Sequence, residues 1–214
     1  MAIAERELVA SVPSAEQGPG AEAEGWTPQP YQWTRAQFYE MGDAGLFEGQ
    51  RVILVEGEIL SMPAMNPPHQ SAVTLVAEVM RSVFGAGFFV REQGPFDVGT
   101  ATDPEPDVAV IAGSIQDFKA AHPTVAALIV EVSHTTLPYD RRGKASLYAS
   151  AGIADYWIIN ISQEPPQVEV HRQPAPDAAQ PHGFGYGDVR AYVAGGIVQP
   201  LAAPGPVAVS ALLP

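Results

Sequence analysis

Two acidic residues stand in segments that otherwise read as buried β-strand: Asp107 in EPDVAVI and Glu131 in LIVEVS. An ionised carboxylate taken out of water needs a cation or several hydrogen bonds to offset the loss of hydration. Glu131 therefore either faces solvent at a strand end or binds something that compensates its burial. If the two strands are neighbours, both carboxylates reach one site near the strand ends. Two carboxylates plus water suit Mg²⁺ (or Mn²⁺), a hard cation with oxygen coordination that retains several of its waters. Lys144 follows Glu131 by about 13 positions. A connection of that length can bring the ammonium back over the strand end, to stabilise charge developing on a phosphate or to orient an attacking water. Asp, Glu and Lys around one divalent cation are the least apparatus that hydrolyses a phosphodiester. Glu and Lys are common residues, so this spacing alone is a weak signal.

Each residue also has a plainer reading. Asp107 could open a strand with its carboxylate bonded to nearby amides, and Lys144 could be a solvated helix residue. Asp140 fits a helix N-cap better than a ligand. His69, just ahead of a helix, could cap it or touch substrate. Arg141 and Arg142 could grip a phosphate backbone or merely mark a solvated helix start. Tyr148, one turn after Lys144, is expected to pack on the lysine stem or in the core. Tyr156 and Trp157 belong to a buried strand.

The elements that must position these side chains follow from pattern. Thr34 is placed to cap a short helix, TRAQFYEMGDAG, which Gly42 or Gly45 ends. RVILVEGEILSM reads as two strands with a tight turn at Glu56-Gly57, and MPAMNPPH as a loop. From His69, apolar Val73, Val76, Ala77, Met80 and Phe84 recur at helical spacing, and Gly85 and Gly87 close that helix. FFVREQ, PDVAVI and AALIVEVS are strands, the last apolar enough to be buried on both faces. Asp140 opens a helix running to about Ala151, with Lys144 in its first turn and Gly152 ending it. DYWIINI and QVEVHR make an antiparallel hairpin through SQEPP, and short β signals follow. Strand, helix, strand over 126–161 is a crossover unit, with hairpins before and after it. The expected fold is α/β: a central mixed sheet flanked by helices.

Composition bounds the rest. The chain has 214 residues, 46% of them hydrophobic and 16% charged, which suits one globular domain with a large core. Residues 1–29, rich in Ala, Glu, Gly and Pro, read as a flexible, solubilising tail carrying Glu16, Glu22 and Glu24; residues 30–214 read as the domain. There is no cysteine, so a metal would take oxygen or nitrogen ligands. The opening MAIAERELVA lacks a basic-then-apolar signal layout, and no apolar run reaches the roughly 18 residues of a membrane span. A cytoplasmic protein without membrane contact is expected. The net charge of −13, from 24 acidic and 11 basic residues, counts against tight nonspecific binding of DNA. A local basic strip or bridging metal ions would have to offset it.

Several ordered motifs carry a resemblance: Pro106-Asp107, Glu131-Val132-Ser133, Tyr139-Asp140-Arg141 with Gly143-Lys144, and Leu147 through Trp157. With VEGEILSM and PPHQ upstream and VEVHR downstream, they make the chain similar to the Uma-type family of restriction endonucleases, within the PD-(D/E)XK nuclease superfamily. The likeness spans roughly residues 31–214. It implies a restriction endonuclease-like fold, endonuclease activity on DNA, Asp107 and Glu131 as ligands of Mg²⁺ or Mn²⁺, and Lys144 as the catalytic lysine. The chain departs from the superfamily in having Ser133, not lysine, two residues after Glu131; the resemblance implies that the lysine has moved to the helix, as Lys144. A further acidic ligand would come from Glu56 or Glu58, although the family more often has Glu where this chain has Ile53. A homodimer would serve to cut both strands of a duplex. Two other functions stay open: a catalytically silent nuclease-fold binding or regulatory module, and a metal-dependent hydrolase of a small phosphoester.

Overall fold

A computed structural model describes residues 27–214. The expected tail therefore lies outside the described residues, apart from Thr27–Gln29, which are exposed and in neither helix nor strand. Tyr31–Pro214 forms one compact unit.

Helix α1 (Arg35–Asp43) begins with the predicted cap: the Thr34 hydroxyl accepts from the Gln37 N–H, and the Gln37 side chain returns to the Thr34 backbone. Strands β1 (Val52–Val55) and β2 (Glu58–Ser61) pair antiparallel across Glu56-Gly57. Both turn residues have positive φ, 48° and 78°, the two-residue geometry that matches the twist of the flanking strands. This hairpin forms its own two-stranded sheet, whereas the pattern placed it in the central one.

Helix α2 (Pro67–Phe84) starts earlier than its apolar period. The prolines read as loop residues occupy its first two positions, where a missing N–H costs nothing and the fixed φ already suits a helix. Asn66 caps it, its side-chain oxygen accepting from the His69 N–H at 3.1 Å. Gly85, at φ 64°, ends it.

The central sheet has the order β3-β4-β5-β6-β7-β8. Its strands are β3 (Phe88–Glu92), β4 (Val108–Ala112), β5 (Leu128–Ser133), β6 (Asp155–Asn160), β7 (Gln167–Pro176) and β8 (Phe184–Val193). Only β5 and β6 are parallel, and their crossover carries the helices α3 (Leu137–Tyr139) and α4 (Ala145–Ser150). Two short strands, β9 (Ile197–Val198) and β10 (Val207–Ala208), pair apart from it.

Period-2 alternation sorts the sheet's side chains onto two faces. Val108, Val110, Leu128, Val130, Val132, Trp157 and Ile159 share a core with Val73, Val76 and Met80 of α2. Ala109, Ile111, Ile129, Tyr156 and Ile158 pack with Ala145 and Tyr148 of α4 on the other. Glu131 alternates with Val130 and Val132, so it projects to the α4 face, toward the crossover.

Met80 is wholly buried in the α2 core, and Glu78 two positions earlier is exposed. Met80→Ala is expected to lower stability by about 2–5 kcal/mol and Glu78→Ala by no more than about 0.5 kcal/mol, measured by urea denaturation. Equal losses would contradict this packing.

Candidate active site

The β4–β5 register pairs Val108 with Val130. Extended by one step it sets Asp107 opposite Glu131, on the same face. Each side chain accepts from a backbone N–H of the facing segment. Asp107 Oδ2 accepts from the Val132 N–H at 2.9 Å, and the Asp107 N–H donates to Glu131 Oε2 at 3.4 Å. His69, from the first turn of α2, places Nε2 3.1 Å from Asp107 Oδ2. It does not cap the helix, since Asn66 does. Asp107 Oδ1 has one long contact, 3.4 Å from Gln93 Nε2.

Glu131 has no exposed surface. Lys144 Nζ lies 2.7 Å from Oε2, and the Tyr148 hydroxyl donates to Oε1 at 2.8 Å. The ammonium arrives by a path the pattern missed. The helix begins at Leu137 and passes through a π-helical turn, Asp140–Lys144, before α4. Lys144 thus sits beyond the first turn, and Asp140 lies inside the helical segment instead of capping it. Asp140 is buried, accepts from the Thr136 hydroxyl at 2.6 Å and has Oδ1 3.5 Å from Lys144 Nζ. A single π turn shifts the side chains that follow it around the helix axis, and such turns concentrate at functional sites. Gly143 admits this geometry: a Cβ there would come within 2.5 Å of the Tyr139 ring.

Electrostatics follow from burial and these contacts. Desolvation pushes the Asp107 carboxyl up, but His69, Lys144 and the Val132 N–H outweigh it and hold the group below the usual carboxylate range. Desolvation drives Glu131 up to about 8, against the pull of Lys144. Burial disfavours charge on Lys144, yet Glu131, Asp140 and Asp107 raise it above its ordinary value. Tyr148 is raised by burial and by Glu131, so its hydroxyl keeps the proton it donates.

The crossover is anchored from β7. Glu131 pairs with Ile158, and Ile158 with Glu169, so the two glutamates flank one residue on the same sheet face. Arg141 Nε and Nη2 bind Glu169 at 2.8 and 2.7 Å, the fork geometry that makes Arg–carboxylate pairs strong. Of the two guanidiniums that could grip a phosphate or mark a solvated helix start, that of Arg141 is thus committed within the fold. Arg142 is exposed and lines a separate depression with Glu56, Glu58 and His182, whose walls include neither Asp107 nor Lys144. Glu56 lies 2.7 Å from His182 Nδ1. The structure thus places Glu56 and Glu58, the candidates for a further acidic ligand, at this depression and not in the cleft lined by Asp107 and Lys144, and Ile53 is buried.

Among the described residues, no three His, Cys, Asp or Glu side chains are grouped to hold a metal ion. The donor set nonetheless fits a hard cation. Two adjacent carboxylates supply oxygen, Asp107 Oδ1 is barely engaged, and the buried Asp140 Oδ1 has no hydrogen-bond partner. Mg²⁺ is commonly held by one or two carboxylates, with waters and substrate phosphates completing the shell.

Residues 35–192 match the family model Uma2, described as "Putative restriction endonuclease". The chain belongs to the Uma2 family. The fold agrees with a crystal structure at 1.96 Å resolution described as a "putative nuclease belonging to DUF820" from Anabaena variabilis ATCC 29413. The two are 15% identical, with a TM-score of 0.57 over 75% of this chain and 88% of that one. No curated protein matches the chain. In this Uma2 chain the motifs read from sequence bring Asp107, Glu131 and Lys144 together. Sequence reasoning missed the Tyr148 hydroxyl, Gln93, Asn66 and Glu169. Glu169 alone carried a signal, a second acidic residue between valines in QVEVHR.

Glu169 also gives a pH prediction. Burial raises its carboxyl, but the His171 ring 3.9 Å away and hydrogen bonds from Arg141, Asn160 and Gln167 outweigh that and hold it well below the usual range. A folded value below the unfolded one stabilises the protein above about pH 4.3 and is lost as pH falls further. Wild-type stability should therefore drop more steeply than that of Glu169→Gln on acidification below about pH 4.3, in urea titrations at each pH. Parallel curves would contradict it.

Proposed function

We propose that the protein is a metal-dependent endonuclease that hydrolyses phosphodiester bonds in DNA, with Asp107, Glu131 and Lys144 as its catalytic residues. The carrying observation is that Asp107 and Lys144 line one cleft, with the buried Glu131 bonded to the Lys144 ammonium and to the Asp107 N–H, on a chain of the Uma2 family. Asp107 and Glu131 would hold Mg²⁺ or Mn²⁺, whose chemistry when bound is to polarise a phosphoryl oxygen and acidify a water.

The chain's own residues divide the remaining work. His69 and the Val132 N–H hold Asp107 through Oδ2, leaving Oδ1 toward a cation. Tyr148 fixes Glu131 through Oε1. The Lys144 ammonium, flanked by Glu131 and Asp140, is placed to balance negative charge as a phosphate enters and as charge builds in the transition state. The cation would also join an acidic chain to a polyanion, which the −13 charge otherwise opposes. Two copies, each with one site, would be required to cut both strands of a duplex.

One observation favours a second reading, a catalytically silent binding module: both oxygens of Glu131 already accept hydrogen bonds, from Lys144 and Tyr148. Incubating the full chain with plasmid, single-stranded DNA and RNA in Mg²⁺ or Mn²⁺, with EDTA controls, separates the two. Asp107→Asn and Lys144→Met are each expected to lower DNA cutting by about 10²–10³-fold while circular dichroism shows them folded. Cutting that persists in both variants would reject the site, and no cutting of any substrate by the wild type would favour the silent module.

A further inference from the structure

The nitrogen-bearing side chains of the cleft are not equivalent. Arg51 Nη2 lies 3.3 Å from Glu105, His69 Nε2 3.1 Å from Asp107, and Lys144 Nζ 2.7 Å from Glu131. Each is committed to a carboxylate. His134, immediately beyond β5 and lining the same cleft, is not. Its Nδ1 lies 3.0 Å from Asn66 Nδ2, and its Nε2 has no protein partner among the described residues.

The proton on that ring is set by a bond elsewhere. Asn66 Oδ1 is held by the His69 N–H as the cap of α2, which fixes the amide with Nδ2 toward His134. An amide NH₂ can only donate. His134 Nδ1 must therefore accept, and the neutral ring carries its proton on Nε2. The helix cap thus selects the tautomer of a histidine on a different element, and that tautomer leaves one N–H donor uncommitted.

We propose that the Nε2–H of His134 is a phosphate-recognition donor of this cleft, bonding a non-bridging oxygen of a substrate phosphodiester, with Asn66 as its positioning residue. The proposal rests on the reading of the cleft as a nucleic-acid site. A neutral donor releases no counterion, so its loss weakens binding without changing the salt dependence. Loss of a cationic phosphate contact instead lowers the log–log salt slope by about 1.

The test is fluorescence anisotropy of a labelled short DNA duplex with the full chain at pH 8.5, in Ca²⁺ and in EDTA, over a series of salt concentrations. His134→Ala is expected to weaken binding about five- to tenfold with the slope unchanged. His134→Gln, which retains an N–H donor, should recover most of the loss. Asn66→Ser keeps the helix cap but removes the amide, and should give an intermediate loss. In ¹⁵N spectra the wild-type His134 should be the Nε2–H tautomer, becoming a mixture in Asn66→Ser, a change that a purely structural role would not produce. The proposal is overturned by an Nδ1–H wild type, by unchanged affinity in His134→Ala, by a slope reduced by about 1, or by a wild type that binds no duplex in either condition. Duplex binding that depends on His134, in a protein that cuts nothing, would overturn the nuclease reading alone.

Discussion

A carboxylate with no exposed surface, set in an apolar strand, is the constraint around which this fold is arranged. Left without partners, Glu131 would weaken the core it sits in. Its oxygens instead meet an ammonium and a phenol from the crossover, and a backbone amide from the neighbouring strand. Those partners come from two separate parts of the chain. The β4–β5 register, the parallel β5–β6 pairing and the helical segment between β5 and β6 must therefore all be correct for the full set of bonds to form. The same convergence that makes burial tolerable sets two acidic residues beside an ammonium, the arrangement on which the proposed function rests.

The supporting parts act on orientation. The π-helical turn sets the rotation of Lys144, and the Arg141–Glu169 fork ties that turn to β7. The cap of α2 brings His69 onto Asp107 and at the same time directs an amide to His134. Helix starts, one irregular turn and the acidic residues Glu131 and Glu169 within strands thus carry the polar work, while the other strand residues supply apolar packing on both faces. A buried carboxylate and a buried lysine are each costly alone; together, with Asp140 and Tyr148 adjacent, they form a network in which removing one member leaves another unpaired.

Much of this was legible in the sequence for a definable reason. Alternating and continuous apolar runs marked β4, β5 and β6, and an acidic residue inside such a run is visible without coordinates. Glu131 therefore stood out, and Pro106-Asp107 at a strand start pointed to its partner. What was not legible depended on geometry that residue types do not encode. Nothing in DRRGK distinguishes a π turn from an α-helical start, so Asp140 read as a cap. Prolines at the first positions of α2 read as a loop because their compatibility with a helix start depends on where the cap falls. The resemblance made Glu56 and Glu58 candidate ligands, but their hairpin forms a separate sheet. Glu169 carried the same signal as Glu131 in a weaker setting, and its role is to hold the crossover.

The account turns on whether Asp107 and Glu131 jointly hold a divalent cation beside Lys144. Anomalous diffraction from crystals of the full chain grown with Mn²⁺ tests this most directly. The expected result is a single strong peak within coordination distance of a carboxylate oxygen from each of Asp107 and Glu131, abolished in Asp107→Asn. A map with no peak there, and Lys144 still seated on Glu131 at saturating Mn²⁺, would contradict it.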